Sequence, residues 1–234
     1  MKVIILNKEE VGRLVGRQIS DLVKASPKCV LGLPTGDSPV GIYKEMVKLA
    51  NEEKINYGEV VTFNLDEYVG RYNNEDSYRY FMDTNLFDLI NINKENTFFP
   101  RSKNPEKYDE LIAEHGGIDL QLVGVGNNGH IGFNEPGTSA DSKTHVTYLT
   151  ADTVLVNSRF FNDVSEVPNQ AVTMGLSSIM RAKKIVFLAF GKAKAEAVKH
   201  LINATSYDNN WPLTILFNHP DLTIYIDEDA ASLL

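Results

Sequence analysis

Two adjacent carboxylates follow an apolar segment near residue 65. Residues 61–65 (VTFNL) have the composition of a buried strand, and Asp66 and Glu67 come directly after them. In open parallel sheets, ligands bind beyond the carboxyl ends of the strands, so either side chain is a candidate general base. Neighbouring acids also occur in solvated turns and at helix N-termini, and the spacing alone favours that plainer interpretation.

A glycine-rich segment carries a second set of candidates. Residues 124–129 (GVGNNG) match the GxGxxG pattern, but the glycines and the proline at 132–137 leave no room for the crossover helix of a dinucleotide site. The same segment presents Asn128, His130 and Glu135. A carboxylate can hold an imidazole in one tautomer and raise its basicity, which suits proton transfer to or from a sugar hydroxyl. The alternative is a histidine that is merely exposed on a loop.

The segment 31–39 (LGLPTGDSP) joins a predicted strand to a predicted helix. Gly36 permits a tight turn, Ser38 is suited to cap the helix, and Pro39 suits the first helical position. The free backbone N–H groups of such a turn, with the positive end of the helix dipole, can bind a phosphate, from which Asp37 would have to point away. An ordinary strand-to-helix turn is the alternative.

Three basic residues outside this segment are candidate anion ligands: Arg159, Lys192 and Lys194. Lys194 falls in the first turn of a predicted helix, just after a predicted strand. Arginine binds phosphate through two parallel hydrogen bonds, and lysine supplies a point charge. Taken singly, each has the default explanation of a solvated surface cation.

The elements that must position these side chains alternate along the chain. Short β-branched runs predict strands at 3–6, 29–33, 60–65, 120–125, 185–190 and 222–226. A first helix begins after a capping box of Asn7 and Glu10, and further helices are predicted at 39–51, 77–89, 105–114, 168–182 and 192–201. This order predicts one α/β domain over residues 1–234, a mostly parallel, doubly wound (Rossmann-like) sheet with helices on both faces.

Two further expectations concern segments between these elements. Residues 126–162 are predicted to form a long irregular loop, with a short strand at 145–149, and long loops inside compact domains are usually functional. Tyr78, Tyr80 and Phe81 lie at helical spacing and are expected in the core.

The charge and cysteine content limit the partners. The 234 residues carry 23 Lys+Arg against 31 Asp+Glu, a net charge of −8, so neither nucleic acid nor an anionic membrane is an expected partner. Cys29 is the single cysteine and no Cys/His cluster has zinc spacing, so we expect no disulfide, no structural metal and a reducing, cytoplasmic location. The apolar runs are too short for a signal peptide or a membrane span.

Together the motifs resemble those of one family, the glucosamine-6-phosphate deaminases (glucosamine-6-phosphate isomerases). The resemblance is carried, in family order, by residues 31–39 (LGLPTGDSP), 61–70 (VTFNLDEYVG), 124–136 (GVGNNGHIGFNEP), 157–161 (NSRFF) and 174–185 (MGLSSIMRAKKI). FNLDEY together with GHIGFNEP is highly specific. The FNEP continuation separates the chain from the related 6-phosphogluconolactonases, which share the fold.

The resemblance implies an enzyme that converts glucosamine 6-phosphate and water to fructose 6-phosphate and ammonia, without a metal or an organic cofactor. In that reading the reaction is a hydrolytic deamination coupled to an aldose–ketose isomerisation. Asp66 would move a proton between C2 and C1, and His130, oriented by Glu135, would open the pyranose ring. The family's phosphate ligands correspond to Thr35, Gly36, Asp37, Ser38, Arg159 and Lys194.

Two departures from the family pattern lie in the predicted site. Asn128 replaces an aspartate found in many members, so Glu135 is expected to orient His130 without a carboxylate relay at position 128. Asp37 replaces a small residue in the phosphate loop, which affects its side chain rather than its backbone role.

A third departure concerns assembly and regulation. The chain stops at Leu234, soon after the last predicted strand, whereas longer members continue with a helical tail. It has His145 and Thr147 where allosteric members carry basic residues. We therefore expect a monomer or a small homo-oligomer rather than a hexamer, and no activation by N-acetylglucosamine 6-phosphate.

Two other functions stay open at this point. One is a 6-phosphogluconolactonase-like hydrolase, which the FNEP residues and Asp66 disfavour. The other is a non-catalytic sugar-phosphate sensor, which would call for a basic DNA-binding module that the sequence lacks.

Overall fold

A parallel seven-stranded sheet forms the centre of the molecule in a computed structural model that describes residues 1–72, 74–158, 161 and 163–234, with the backbone alone at residue 152. The strands of the structure are β1 (Lys2–Ile5), β2 (Val30–Leu33), β3 (Val61–Asn64), β4 (Asp66–Tyr68), β5 (Thr97–Phe98), β6 (Leu120–Gly124), β7 (His145–Tyr148), β8 (Gln170–Thr173), β9 (Ile185–Ala189) and β10 (Leu222–Ile226). The central sheet has the order β1-β10-β9-β6-β2-β3-β5, and a small antiparallel sheet has the order β4-β8-β7.

The helices of the described residues cover both faces of the central sheet. They are α1 (Lys8–Ala25), α2 (Val40–Glu53), α3 (Tyr78–Asn85), α4 (Lys107–Glu114), α5 (Ala151–Asn157), α6 (Leu176–Ile179) and α7 (Ala195–Ile202). Along β9, Ile185, Phe187 and Ala189 face one apolar core with α4, α6 and α7, whereas Val186 and Leu188 face a second core with α1, α2 and α3. The predicted doubly wound α/β fold is therefore confirmed.

The first helix shows how local sequence fixes an element. The Asn7 side chain accepts the backbone N–H of Glu10, and the Glu10 carboxylate accepts the N–H of Asn7, so the predicted capping box is confirmed. The helix then packs closely on α2, because a Cβ on Gly12 would lie 2.9 Å from the carbonyl carbon of Gly41. Two glycines thus permit the backbones to approach.

The prediction of one helix over residues 168–182 is wrong. The segment begins with strand β8 and only then forms the short helix α6. Strand β8 pairs antiparallel with both β4 and β7, which lie about 100 and 25 residues earlier in the chain, and these non-local hydrogen bonds override the local helical pattern.

The segment 126–162 is less irregular than predicted. The short strand expected at 145–149 is confirmed as β7, but helix α5 follows it and was not predicted. Among the described residues, no helix is long and apolar enough to cross a membrane.

Candidate active site

A cavity of about 890 Å³ lies at the carboxyl ends of the central strands. It is centred where the strand order reverses, between β2 and β6, which is where open α/β sheets bind ligands. Of the predicted site residues that the structure describes, those in the cavity wall are Thr35, Gly36, Asp37, Ser38, Asp66, Asn128, His130 and Lys194. Glu135 and the candidate anion ligand Lys192 are not part of the wall, and Arg159 lies outside the described residues.

Asp66 is a buried carboxylate that faces this cavity. It opens β4, directly beyond β3, and only 7% of its surface is exposed. Burial raises the pKa of Asp66 to about 8, and the negative charge of Glu67 adds to the rise. A carboxyl group that titrates near neutral pH can exchange a proton with a substrate carbon in both directions, as an isomerase base must.

Glu67 has a structural role instead. One of its carboxylate oxygens accepts the backbone N–H groups of Tyr68 at 2.8 Å and Tyr78 at 3.0 Å, and the other accepts that of Arg79 at 2.9 Å. These bonds satisfy the first N–H groups of α3. Since Glu67 is also 1% exposed and does not contribute to the cavity wall, Asp66 is the candidate base of the pair.

His130 is held by an amide rather than by a carboxylate. Its Nδ1 lies 2.7 Å from Oδ1 of Asn128, and Nδ2 of Asn128 donates to Oε2 of Glu135 at 2.7 Å. The direct distance from Nδ1 to the Glu135 carboxylate is 3.5 Å. Glu135 is therefore linked to His130 through the amide of Asn128, without a carboxylate relay at position 128.

The Glu135 carboxylate is ionised behind this amide. Burial works to raise the pKa of Glu135, but the hydrogen bonds and charge of His130 and the hydrogen bonds of Thr153 and Asn128 outweigh it and lower the pKa to about 2. Sequence reasoning missed Thr153, whose only signal was a T-x-x-T spacing typical of a helix start.

The segment that the sequence predicts to bind phosphate follows the end of β2. Gly36 has a φ of 87°, the left-handed region that favours glycine, and nothing lies within 4 Å of the position a Cβ would occupy. Tyr43 fixes the start of the loop, since its hydroxyl donates to the carbonyl of Pro34 at 2.6 Å. The prediction that Ser38 caps α2 is wrong: the helix begins at Val40 after a Pro39 in helical conformation, with no side-chain cap.

Lys194 lies across the cavity from this loop's strand, at the end of β9. Its Nζ donates to Oδ1 of Asn127 at 2.7 Å, which joins it to the segment that carries His130. The turn before it is anchored by Asp227, whose carboxylate accepts the N–H of Gly191 at 2.9 Å. An ammonium group in the wall of the same cavity as this loop is suited to a phosphate.

The aromatic side chains of α3 line the cavity. Tyr78, Tyr80 and Phe81 all contribute to its wall. Tyr78 and Phe81 are also partly buried and pack against the apolar core of α1, α2 and α3, whereas Tyr80 is 44% exposed, so the expectation of a core position is wrong for Tyr80 alone. Tyr78 is nearly parallel to Phe133, with ring centroids 6.0 Å apart. These rings give the site an apolar side.

Trp211 supports the turn before His130 from behind. A Cβ on Gly129 would lie 2.7 Å from the Trp211 ring, and the N–H of Leu213 donates to the Gly129 carbonyl at 2.9 Å. The indole in turn stacks on His200, with centroids 4.0 Å apart. The turn before His130 is therefore held both by a backbone hydrogen bond and by contact with the indole ring.

Residues 7–224 match the sequence profile of the family described as glucosamine-6-phosphate isomerases/6-phosphogluconolactonase. The chain belongs to this family. The glucosamine-6-phosphate deaminase of Mycoplasma mycoides subsp. mycoides SC is 49% identical over 239 residues, which cover 100% of this chain and 98% of the relative. That of Thermoanaerobacter pseudethanolicus is 48% identical over 242 residues, covering 100% and 95%.

Two solved structures, one named a deaminase and one a lactonase, differ in how closely they resemble this chain. One described as a monomeric glucosamine-6-phosphate deaminase superimposes with a TM-score of 0.95 at 38% identity, covering 100% of both chains. The 6-phosphogluconolactonase of Thermotoga maritima gives 0.73 at 20% identity, covering 97% and 98%. The second likeness shows the common fold, whereas the curated relatives and the first structure carry the deaminase name.

Proposed function

We propose that this chain converts glucosamine 6-phosphate and water to fructose 6-phosphate and ammonia. The observation that carries the proposal is the placement of Asp66 and the Asn128-held His130 in the wall of one cavity that also holds the phosphate loop and Lys194. An anchored phosphate fixes the substrate, a base over C1 and C2 permits isomerisation, and a histidine permits ring opening. The deaminase relatives and the superimposed deaminase structure support the same substrate.

The first step is ring opening by His130. With Nδ1 facing Asn128, the other ring nitrogen, Nε2, takes the proton of the O1 hydroxyl and returns it to O5 as the C1–O5 bond breaks. The product is the open aldehyde, which makes the proton on C2 acidic.

The second step is proton transfer by Asp66. The ionised carboxylate removes the C2 proton to give an enolamine and delivers the proton to C1, which leaves an imine at C2. Water adds to the imine carbon and the C2–N bond breaks, releasing ammonia and the ketone. Each step moves protons or adds water without net oxidation, so the chemistry calls for no redox cofactor.

Ammonium and fructose 6-phosphate appearing in equal amounts from glucosamine 6-phosphate would support this function, with 6-phosphogluconolactone hydrolysis measured alongside. Asp66→Asn should lose nearly all turnover and still bind the substrate, because the volume is kept and the base is lost. Hydrolysis of the lactone alone would contradict the proposal. A rise in melting temperature with the sugar phosphate but no turnover would instead favour a sensor.

The finer expectations about assembly and location belong to the same proposal. A monomer or small oligomer is supported by the superimposed structure described as monomeric, and size-exclusion chromatography with light scattering tests it. A cytoplasmic location is supported by the substrate class and by the single, buried Cys29. A saturation curve that changes shape on addition of N-acetylglucosamine 6-phosphate would contradict the expected lack of activation.

A further inference from the structure

The start of helix α5 is hydrogen-bonded to the carboxylate behind His130. Thr150 caps the helix by accepting the N–H of Thr153 at 3.2 Å, and the Thr150 hydroxyl donates to that of Thr153 at 3.0 Å, which leaves the Thr153 hydroxyl proton for another acceptor. That hydroxyl, on a residue only 5% exposed, donates to Oε1 of Glu135 at 2.5 Å. A charge-assisted hydrogen bond therefore joins α5 to the segment that carries His130 and Glu135.

The donors and acceptors around Asn128 permit one arrangement of its amide. An ionised Glu135 carboxylate can only accept, so the NH2 group of Asn128 must face it at 2.7 Å. The amide oxygen then faces His130, where it also accepts the backbone N–H at 3.3 Å. Because that oxygen cannot donate, Nδ1 of His130 must carry the proton and Nε2 must be the free acceptor.

An amide at position 128 needs outside support for this role. A rotation of 180° would exchange its oxygen and nitrogen and would place the NH2 group against Nδ1 of His130, which would force the proton onto Nε2. Glu135 opposes that rotation only while its carboxylate stays aimed at Asn128. The carboxylate is in turn held at its second oxygen by Thr153, with Thr150 3.4 Å away.

We propose that Thr153 is a positioning residue which, through Glu135 and Asn128, keeps His130 in the tautomer with Nδ1 protonated and Nε2 free for ring opening. The proposal rests on the proposed function for its catalytic consequence. Thr153, Leu155, Val156 and Asn157 of α5 also line the substrate cavity, so the same helix touches both the substrate's space and the relay behind His130.

The test compares Thr153→Val, which removes the hydroxyl at nearly constant volume, with Thr153→Ser, which keeps it. The cap of α5 should survive in both, since it uses the backbone N–H of residue 153. Thr223→Val on β10, outside the cavity, is the matched control. The readout is the long-range ¹H–¹⁵N spectrum of the histidine rings at a pH where they are neutral, with the His130 signal assigned by its loss in His130→Asn.

The wild type should show Nδ1 protonated, and Thr153→Val should show a population with Nε2 protonated. The kcat for ammonium release should fall about tenfold in Thr153→Val with KM changed less than threefold, as expected for one lost bond to a charged group. Thr153→Ser should restore both, and Thr223→Val should change neither.

Two results would overturn the proposal: Nε2 protonated in the wild type, or a Thr153→Val protein with an unchanged tautomer. The wild-type spectrum needs no variant, so this test of the proposal remains available even if Thr153→Val does not fold. The tautomer is read without substrate. A wild-type chain with Nδ1 of His130 protonated that releases no ammonium therefore refutes the proposed function but not the positioning role of Thr153. A chain that releases ammonium with Nε2 protonated refutes only the positioning role.

Discussion

Replacing Asp66 by asparagine should stabilise the protein at neutral and alkaline pH while it abolishes turnover. The folded-state pKa of Asp66 is about 8, against about 4 for an unperturbed aspartate, because the folded chain buries this carboxyl beside Glu67. Below pH 4 both states are protonated and the group has no effect. As the pH rises from 4 to 8 only the unfolded chain ionises, so the wild type loses stability.

The expected size follows from that difference in pKa. Each pH unit in this window is worth about 1.4 kcal/mol, so the wild type should be destabilised by about 1 kcal/mol at pH 5 and about 5 kcal/mol at pH 8. Asparagine has the shape of the protonated carboxyl but does not ionise. The free energy of unfolding of Asp66→Asn should therefore exceed that of the wild type by a margin that grows with pH.

Urea unfolding of both proteins at pH 5 and pH 8, followed by circular dichroism, measures this margin. Glu52→Gln, at an exposed carboxylate of α2, is the control and should show no growing margin. An Asp66→Asn protein that is no more stable than the wild type at pH 8, or whose margin is the same at both values, would refute the reasoning about this carboxyl. The same ionisation should make kcat/KM for ammonium release fall about tenfold per unit below pH 8.

Two further substitutions test the phosphate and histidine subsites. Lys194→Ala should raise KM for glucosamine 6-phosphate by about 10- to 100-fold, with a smaller effect on kcat, because it removes the proposed charged ligand of the phosphate. The control Lys192→Ala, two residues earlier, should leave KM nearly unchanged. Similar KM values for the two variants in steady-state assays would contradict the assignment of Lys194. Gly126→Ala should lower kcat at least tenfold with the fold retained in circular dichroism, since its Cβ would lie about 2 Å from the His130 ring. Gly41→Ala, whose Cβ would make only ordinary contacts on α2 outside the cavity, should keep near-normal rates. Equal rates in the two variants would show that the ring is not where the structure places it.

Much of the fold was predictable because it depends on local patterns. The strands predicted at 60–65 and 185–190 correspond to β3 and β9 within one or two residues, since β-branched runs bounded by turns specify buried strands. The helix predicted at 168–182 failed because β8 is stabilised by partners elsewhere in the chain. Periodicity within one segment contains no information on such pairing.

The site was predictable in composition but not in its internal contacts. Apart from the family resemblance, the spacing could not separate Asp66 from Glu67, because the choice depends on which carboxylate accepts the N–H groups of α3. The helical spacing also predicted a core position for Tyr80, which is 44% exposed, because spacing shows that a face is apolar and not what that face contacts. The hydrogen bond between Asn128 and Glu135 depends on side-chain orientation, which spacing does not give.

The packing of Trp211 against Gly129 places an intrinsic fluorescent probe at the turn before His130. Trp211 is the only tryptophan of the chain, so emission excited at long wavelength comes entirely from an indole that touches the turn before His130. The indole is also held by His200, which stacks on it with ring centroids 4.0 Å apart. Substrate binding and any shift of the turn can therefore be followed by fluorescence, at equilibrium and in rapid mixing, in the unlabelled and unmodified chain.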